Sequence, residues 1–205
     1  MKIIEPSIEI INAPDYNTML HTIEAAGRTC YKSESKIREG SAERLARMFI
    51  AKGHESAIEH SCITVRFICD RGVSHEIVRH RIASYSQEST RYCNYSKGDF
   101  NGEITVIRPS TFDKDTPVYR IWKRDCETAE IAYFDLLNEG VTPQEARSVL
   151  PTSLKTELVM TANIREWRHF LKLRCAPAAH PDIRVVSKML LQQMKERYPV
   201  FFEDI

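Results

Sequence analysis

Residues 61–69 read Ser61-Cys62-Ile63-Thr64-Val65-Arg66-Phe67-Ile68-Cys69 and alternate apolar with polar side chains over most of their length. In a strand, Ile63, Val65 and Phe67 would share one face and Thr64 and Arg66 the other, because successive side chains point to opposite faces. This is the clearest strand signal in the chain. It predicts a sheet whose apolar face is covered by other elements.

Other segments give weaker signals. Residues 2–11 are rich in isoleucine and predict a strand that ends at Asn12-Ala13-Pro14. Residues 103–108 predict a short strand, and residues 154–161 mix both periodicities and favour a strand. Apolar spacing predicts helices over residues 16–26, 41–50, 116–138, 163–173 and 182–198, and a short helix from Ser74. Ser41 is the expected N-cap of the second helix and Gly53 its end, and Thr142-Pro143-Gln144-Glu145 predicts a capping box for a helix ending near Leu150.

The order of these elements predicts the fold class. The 205 residues contain no repeat, no low-complexity segment and no linker, so we expect one domain, 1–205. Strands separated by helices of varied length predict an α+β fold with a mixed or antiparallel sheet covered by helices.

Composition excludes several classes of protein. Hydrophobic residues make up 42% and charged residues 28%, which is typical of a globular protein. Lys and Arg (29) nearly balance Asp and Glu (28), so the net charge of +1 provides no global basic field for nucleic acid. The first residues lack the apolar run of a secretion signal, and the expected compartment is the cytoplasm. The six cysteines include no Cys-x-x-Cys pair, which argues against a structural zinc site or a disulfide framework.

The candidate functional segment is Arg79-His80-Arg81-Ile82-Ala83-Ser84-Tyr85-Ser86-Gln87-Glu88-Ser89-Thr90-Arg91-Tyr92. Guanidinium groups bind phosphate and carboxylate oxygens, hydroxyls add neutral donors, and tyrosines offer a face for stacking. These residue types predict a pocket for a phosphorylated ligand that contains a ring. Charge patterning alone also allows a solvated helix face or loop.

Familiar nucleotide and metal motifs are missing. No two of the seven glycines lie within three residues of each other, so neither a Rossmann loop nor a Walker loop can form. His75 and His80 are five residues apart, about 140° around a helix, which is the wrong spacing for a His-Glu-x-x-His zinc site. Cys93 and Cys175 have no recognisable partner for nucleophilic catalysis and are interpreted as structural.

The candidate segment resembles the signature of the flavin-dependent thymidylate synthases: Arg79-His80-Arg81, seven residues, Ser89, one residue, then Arg91-Tyr92. The resemblance covers residues 50–180. Gly53-His54-Glu55-Ser56-Ala57-Ile58-Glu59-His60 is similar to the family's Gly-His-Glu-x-x-x-Glu-His, and residues 163–174 to its Asn-x-Arg…Phe-x-x-Leu-Arg helix. The resemblance implies conversion of dUMP to dTMP with methylenetetrahydrofolate as carbon donor and NADPH as reductant. It also implies FAD in a non-Rossmann site, and a homotetramer with active sites at subunit interfaces.

The resemblance further implies roles for individual residues and no metal site. The implied FAD-binding residues are His54, Ser56, Glu59, Arg79, His80, Arg81, Gln87, Asn163, Arg165 and His169. The implied dUMP-binding residues are Glu76, Arg79, Gln87, Glu88, Ser89, Thr90, Arg91, Arg147 and Arg174. Arg174 is the implied catalytic residue, which stabilises charge on the uracil ring, and Arg147 would reach the dUMP phosphate from a neighbouring subunit.

Four positions depart from the family pattern. Position 76 is Glu where many members have Gln, and position 87 is Gln where many have Glu. His169 stands where several members have Asn, and Ala178 where some have His, for which His180 could compensate. These departures bear on single contacts.

Structural roles are open for several of the same residues. Arg147 and Arg165 could be surface ion-pair partners, and Asn163 could be only a helix N-cap. Trp167, Phe170, Leu171 and Leu173 are interpreted as core residues. Competing functions are an RNA-binding module, a metal-dependent hydrolase, and a family member that binds flavin but lacks synthase activity.

Overall fold

The computed structural model of the chain describes residues 1–205 apart from the side chain of Asp99. The strands are β1 (Lys2–Ile4), β2 (Ser7–Asn12), β3 (Cys62–Asp70), β4 (Ser84–Gln87), β5 (Thr105–Ile107) and β6 (Lys155–Asn163). The α-helices are α1 (Tyr16–Tyr31), α2 (Ser41–Lys52), α3 (Arg71–Ile77), α4 (Pro117–Asn138), α5 (Pro143–Ala146), α6 (Ile164–Arg174), α7 (Pro181–Arg197) and α8 (Pro199–Phe202). Short 3₁₀ turns cover Glu34–Lys36, Glu55–His60, Gly98–Phe100 and Arg147–Val149.

The strands form two sheets. An antiparallel sheet of four strands has the order β2-β3-β6-β4, and β1 pairs with β5 in parallel. The predicted α+β class with a mixed or antiparallel sheet is therefore confirmed. Among the described residues no helix has the length and apolar content needed to cross a bilayer.

Both central strands alternate buried with less buried positions, as the sequence predicts for β3. In β3, Ile63, Val65 and Phe67 are fully buried, whereas Thr64 and Arg66 are half-buried. In β6 the buried positions also alternate, from Thr156 to Ala162, so the preference for a strand at 154–161 is confirmed. One face of each strand thus supplies core residues, which fixes the register of the pair.

Contacts along the chain define two compact units. Unit 1 comprises Met1–Ser7, Phe67–Arg79 and Ser86–Leu158, and its core is built around Tyr95, Ile104, Val106, Cys126 and Tyr133. Unit 2 comprises Ile8–Arg66, His80–Tyr85 and Val159–Ile205, and includes the fully buried Trp167, Phe170, Phe201 and Phe202. A single domain over 1–205 stays a prediction.

Several predicted boundaries are wrong for local reasons. The strand predicted over 2–11 divides into β1 and β2 around Pro6, which has no N–H for a sheet ladder. Helix α1 continues past Ala26 because Gly27 leaves room for Phe49, whose ring lies 2.2 Å from where a Cβ would stand. The short helix begins at Arg71, capped by Asp70, rather than at Ser74.

Further comparisons concern the start of α2, the helix predicted to end near Leu150, and the burial of Leu173. Gly40 is the N-cap of α2, whereas Ser41 is buried and donates a hydrogen bond to Glu24 at 2.7 Å. The helix predicted to end near Leu150 has its capping box, and it is α-helical to Ala146 and continues as the 3₁₀ turn Arg147–Val149, which ends at Leu150. Leu173 is 48% exposed and is not a core residue. The helix over 116–138 and the end of α2 at Gly53 (φ +68°) are confirmed.

Candidate active site

The candidate segment 79–92 is divided between the two units. Residues 80–85 belong to unit 2, and Arg79 and residues 86–92 belong to unit 1. Its residues 84–87 form strand β4, for which the sequence analysis predicted no strand. Arg79, Arg81 and Arg91 are exposed, whereas His80 and Thr90 are buried. The segment is therefore not simply a solvated loop.

In unit 2, His80 forms a buried hydrogen-bonded chain with two residues of α6. Its Nδ1 lies 2.9 Å from Glu166 Oε1, and its Nε2 accepts a hydrogen bond from Arg174 Nε at 3.1 Å. His80 and Glu166 are only 4% and 6% exposed. Helix α6 presents both partners because Asn163 caps it, accepting from Glu166 N at 2.9 Å, and Arg174 is its last residue.

The surroundings of His80 favour the neutral imidazole. Burial lowers the pKa of His80; the Glu166 carboxylate opposes this shift, whereas Arg174 and His169 add to it. The hydroxyl of Tyr85 donates to the His80 backbone carbonyl at 2.6 Å, and burial raises the pKa of Tyr85 to about 12. A neutral His80 can accept the Arg174 N–H, which an imidazolium cannot do.

Two rings of α6 pack on His80. The centroids of His169 and Phe170 lie 5.4 Å and 4.8 Å from that of His80. Ligand-type atoms of His80, Glu166 and His169 lie within 4.8 Å of one another, the one such cluster among the described residues. Because both nitrogens of His80 already have partners, a metal ion would have to displace one of them.

A cleft of 530 Å³ lies beside this chain of hydrogen bonds in unit 2. Its lining residues are Glu55, Glu59, Ile82, Asn163, Arg165, Glu166, Arg168, His169 and Lys172. Four of the implied FAD-binding residues are thus brought together: Glu59, Asn163, Arg165 and His169. Both structural roles left open for the α6 residues are also observed, since Asn163 is the N-cap and Arg165 pairs with Glu55 at 3.3 Å and Glu59 at 2.6 Å.

Two further implied FAD-binding residues lie elsewhere in unit 2. His54 and Ser56 line a pocket of 190 Å³ together with Cys30, Tyr31 and Phe49. His180 has a local role, as the N-cap of α7, where its ring accepts from Asp182 N at 3.3 Å. The α6 cleft and this pocket therefore separate residues that the sequence analysis grouped as one set.

In unit 1, Gln87 anchors a network of neutral side chains and one cation. Its Nε2 donates to Ser74 Oγ at 2.9 Å and to Thr156 Oγ1 at 3.2 Å, and Arg71 also donates to Thr156 at 3.3 Å. Glu76 of α3 is half-buried and Arg79 is exposed. Gln87 donates both of its side-chain N–H groups to these hydroxyls. A glutamate carboxylate at this position could not donate, and could only accept hydrogen bonds from the hydroxyls.

The charge of Glu88 is balanced within unit 1. Lys155 contacts Glu88 at 2.9 Å and Glu157 at 2.7 Å, and Tyr95 donates to Glu88 at 3.2 Å. Burial by itself would lower the pKa of Lys155, but hydrogen bonds to Glu157 and Glu88 raise it above its ordinary value. Burial raises the pKa of Tyr95, which stays a donor. A carboxylate can therefore lie beside anion-binding residues without repelling the ligand.

The remaining implied dUMP-binding residues lie after β4 or follow α5. Arg147 donates to Thr90 Oγ1 at 3.0 Å within the same chain, and Arg91 N donates to Ser89 Oγ at 3.3 Å. The Arg91 guanidinium lies 5.4 Å from the Tyr92 ring centroid. The role of Arg147 across a subunit boundary stays a prediction.

Sequence reasoning missed Glu166 and Lys155. Glu166 follows the cap Asn163 by three residues, a spacing that signals only a capping pattern. Lys155 lies in a strand with mixed periodicity and carries no motif. Burial raises the pKa of Cys93 and Cys175, so both favour the thiol form, in agreement with their interpretation as structural.

Comparison with known proteins gives consistent relatives. Residues 14–200 match the family described as thymidylate synthase complementing protein. A flavin-dependent thymidylate synthase of Pyrococcus furiosus is 36% identical over 172 residues, which are 83% of this chain and 70% of that protein. One from Geobacter sulfurreducens is 34% identical over 189 residues, 89% of this chain and 80% of that protein. The crystal structure of the UMP/dUMP methylase PolB from Streptomyces cacaoi, bound with 5-Br dUMP, superposes with a TM-score of 0.81 at 25% identity, covering 99% of this chain and 96% of that chain.

Proposed function

The chain belongs to the thymidylate synthase complementing protein family, and from this membership we propose that it is a flavin-dependent thymidylate synthase that converts dUMP to dTMP. The observation that carries the proposal is the guanidinium of Arg174, held at 3.1 Å by the buried His80. It stands at the end of α6, the helix that lines the 530 Å³ cleft of unit 2. A fixed guanidinium can stabilise the negative charge that develops on a ring during reaction.

The α6 cleft has the composition expected of a flavin site. Its 530 Å³ falls within the range of ligand pockets, about 300–1,000 Å³. Ile82, which is 70% exposed, and the His169 ring suit a flat ring system, and Lys172 and Arg165 suit phosphate oxygens. When bound, a flavin supplies hydride-transfer chemistry. We expect Arg165 to exchange its contacts with Glu55 and Glu59 for the cofactor.

For the nucleotide, we propose that Ser89, Arg91 and Arg147 bind the phosphate. Two guanidiniums and a hydroxyl suit a phosphate dianion, and they position the base rather than activate it. Gln87 and Thr90 hold this segment in place through Thr156 and Arg147. Lys155 removes the repulsion that Glu88 would exert on the incoming anion.

For the chemical step, we propose that Arg174 acts on the uracil ring. Carbon 5 of uracil becomes nucleophilic when negative charge develops on the ring oxygens and nitrogen 3. A preorganised guanidinium stabilises that charge more in the transition state than in the ground state. Arg174 is an expected charge stabiliser rather than a proton carrier, because its guanidinium stays protonated.

The finer assignments follow the family resemblance. We propose FAD as the flavin, methylenetetrahydrofolate as the carbon donor, NADPH as the reductant, and a cytoplasmic homotetramer as the active form. In this proposal His80, Arg79 and Arg81 contact the flavin, and no nucleic acid, membrane or metal takes part.

The test is spectroscopic and then chemical. The purified full chain is expected to show an oxidised flavin band, alone or after FAD is added, and NADPH should bleach it anaerobically at a rate that responds to dUMP. With methylenetetrahydrofolate present, dTMP should form, and UMP assayed alongside dUMP measures the preference for the sugar. A protein that never binds flavin contradicts the proposal. A flavin band without dTMP formation would identify a family member that binds the cofactor but lacks the synthase activity.

A further inference from the structure

Glu166 is a buried carboxylate that the proposed reaction does not use. It is the third residue of α6, where acidic side chains commonly stay near solvent and interact with the helix N-terminus. Glu43 and Glu145 hold the same position in α2 and α5: Glu43 is 45% exposed and pairs with Arg47, and Glu145 is exposed and completes a capping box. Glu166 instead points to His80 Nδ1 at 2.9 Å.

The contacts on the two sides of His80 allow one arrangement of protons. Arg174 Nε can only donate, so His80 Nε2 must be a bare acceptor. The remaining proton of a neutral imidazole then stands on Nδ1, where the Glu166 carboxylate accepts it. With the opposite tautomer, two N–H groups would face each other between His80 and Arg174, and the carboxylate would face a lone pair.

We infer that Glu166 is a positioning residue that holds the single proton of the neutral His80 on Nδ1, so that His80 Nε2 accepts the Nε–H of Arg174 and fixes the direction of its guanidinium. The inference rests on the proposed function, which assigns Arg174 to the uracil ring. Holding Nε fixes the guanidinium plane, and with it the two Nη groups that carry four of the five N–H donors. Burial of the Glu166 carboxylate is acceptable because it accepts the hydrogen bond of His80 Nδ1.

Matched variants separate positioning from a general effect on the helix. Glu166→Ala removes the acceptor, and Glu166→Gln keeps an oxygen but removes the charge. Glu43→Ala and Glu43→Gln make the same changes at the third residue of another helix of unit 2, away from the candidate site. Thermal unfolding of all four variants reports any loss of fold.

The first readout needs no turnover. In ¹⁵N-histidine-labelled protein at pH 7, with His80 identified through His80→Asn, the imidazole is expected as the neutral Nδ1–H tautomer. Glu166→Ala should move it to the other tautomer or to a mixture, and Glu43→Ala should leave it unchanged. This readout is independent of dTMP formation. An inactive wild-type chain would therefore count against the proposed function, whereas the tautomer of His80 would still test the role of Glu166.

The second readout is kinetic. Glu166→Ala is expected to lower kcat about 10- to 100-fold, as misplacement of a reacting group does, with KM for dUMP changed less than about threefold. Glu166→Gln should recover part of kcat. The acid limb of the kcat profile should move to lower pH in Glu166→Ala, because the carboxylate is the group that favours His80 protonation, whereas Arg174 and His169 oppose it.

Three results would overturn the inference. One is a wild-type His80 that is protonated or carries its proton on Nε2 at pH 7. Another is a folded Glu166→Ala variant with wild-type kcat, or one whose loss of flavin affinity matches its loss of kcat while the tautomer is unchanged. The third is a stoichiometric metal in the purified wild type that Glu166→Gln loses, since the cluster with His169 would then be a metal site.

Discussion

The clusters of unit 1 and unit 2 handle buried charge in different ways. Around Glu88, two carboxylates share the single ammonium of Lys155, and the network stays half-buried. Around Glu166, the carboxylate and the guanidinium of Arg174 are joined through a neutral imidazole that is almost fully buried. The arrangement around Glu88 balances charge. The arrangement around Glu166 also fixes the direction of the Arg174 guanidinium. Substitutions around Glu88 should therefore affect binding and stability, and substitutions around Glu166 should affect turnover.

The largest expected effect is that of Arg174→Ala. Loss of a charge-stabilising donor costs about 2.7–4 kcal/mol in other enzymes, so kcat should fall about 10²- to 10³-fold. The melting temperature should stay close to that of the wild type, because Arg174 is partly exposed at the end of α6. Steady-state dTMP formation and thermal unfolding provide the two measurements, and an unchanged kcat would remove Arg174 from the chemical step.

Lys155→Ala tests the unit 1 side of the comparison. It leaves Glu88 without its cation, which should lower the free energy of unfolding by about 1–3 kcal/mol. The same change at Lys123, an exposed partner of Glu127, should cost about 0.5 kcal/mol or less. Lys155→Ala should also raise KM for dUMP more than it lowers kcat. Equal losses of stability for both variants would show that the Glu88 pair is no better than a surface ion pair.

Asn163 allows the cap of α6 to be separated from cofactor binding. Asn163→Ala should cost about 1 kcal/mol of stability, because the Glu166 N–H loses its acceptor. Asn163→Asp keeps the cap and should retain the wild-type stability, measured by urea unfolding. If Asn163 also contacts the flavin, the Asp variant should bind FAD more weakly. Wild-type FAD affinity in the Asp variant would leave Asn163 with the cap alone.

The smallest effect concerns the C-terminal segment of unit 2. Asp204 forms a bidentate pair with Arg168, and the hydrogen bonds from Arg168 lower the pKa of the carboxyl. A lowered folded-state pKa means that this stabilisation is complete above the unfolded pKa, about 3.9, and is lost as pH falls through the folded value. The wild type should melt above Asp204→Asn at pH 7, and the gap should narrow towards pH 3. A gap independent of pH would assign the effect to packing.

Sequence patterns predicted the elements better than their ends. The alternation of 61–69 and the apolar spacing of 116–138 report burial directly, and both elements were correctly placed. Predicted boundaries were wrong where a single residue or a contact distant in sequence sets the end of an element. Examples are Pro6 between β1 and β2, the contact of Gly27 with Phe49, and the hydrogen bond of Ser41 to Glu24. Such contacts leave no periodic trace in the sequence.

The candidate site also has residues that the sequence analysis identified and residues that only the structure revealed. Residue types in the signature favour a polar ligand pocket, and this stays a prediction, since Ile82 is the one residue of 79–92 that lines the α6 cleft. Glu166 and Lys155 were missed, since a glutamate near a helix N-terminus and a lysine in a strand usually face water. Only folding buries them beside His80 and Glu88.

By itself, the sequence determined the α+β class, the alternating strand at 61–69 and the residue types that the resemblance assigns to nucleotide and flavin. The tertiary structure alone decided which of these residues touch. It divided residues 79–92 between two units and paired Glu88 with Lys155. It also placed Arg174 in contact with His80, whose proton position we assign to Glu166. The physical reason is that side-chain identity supplies donors and charges, but burial and distance determine which donor meets which acceptor.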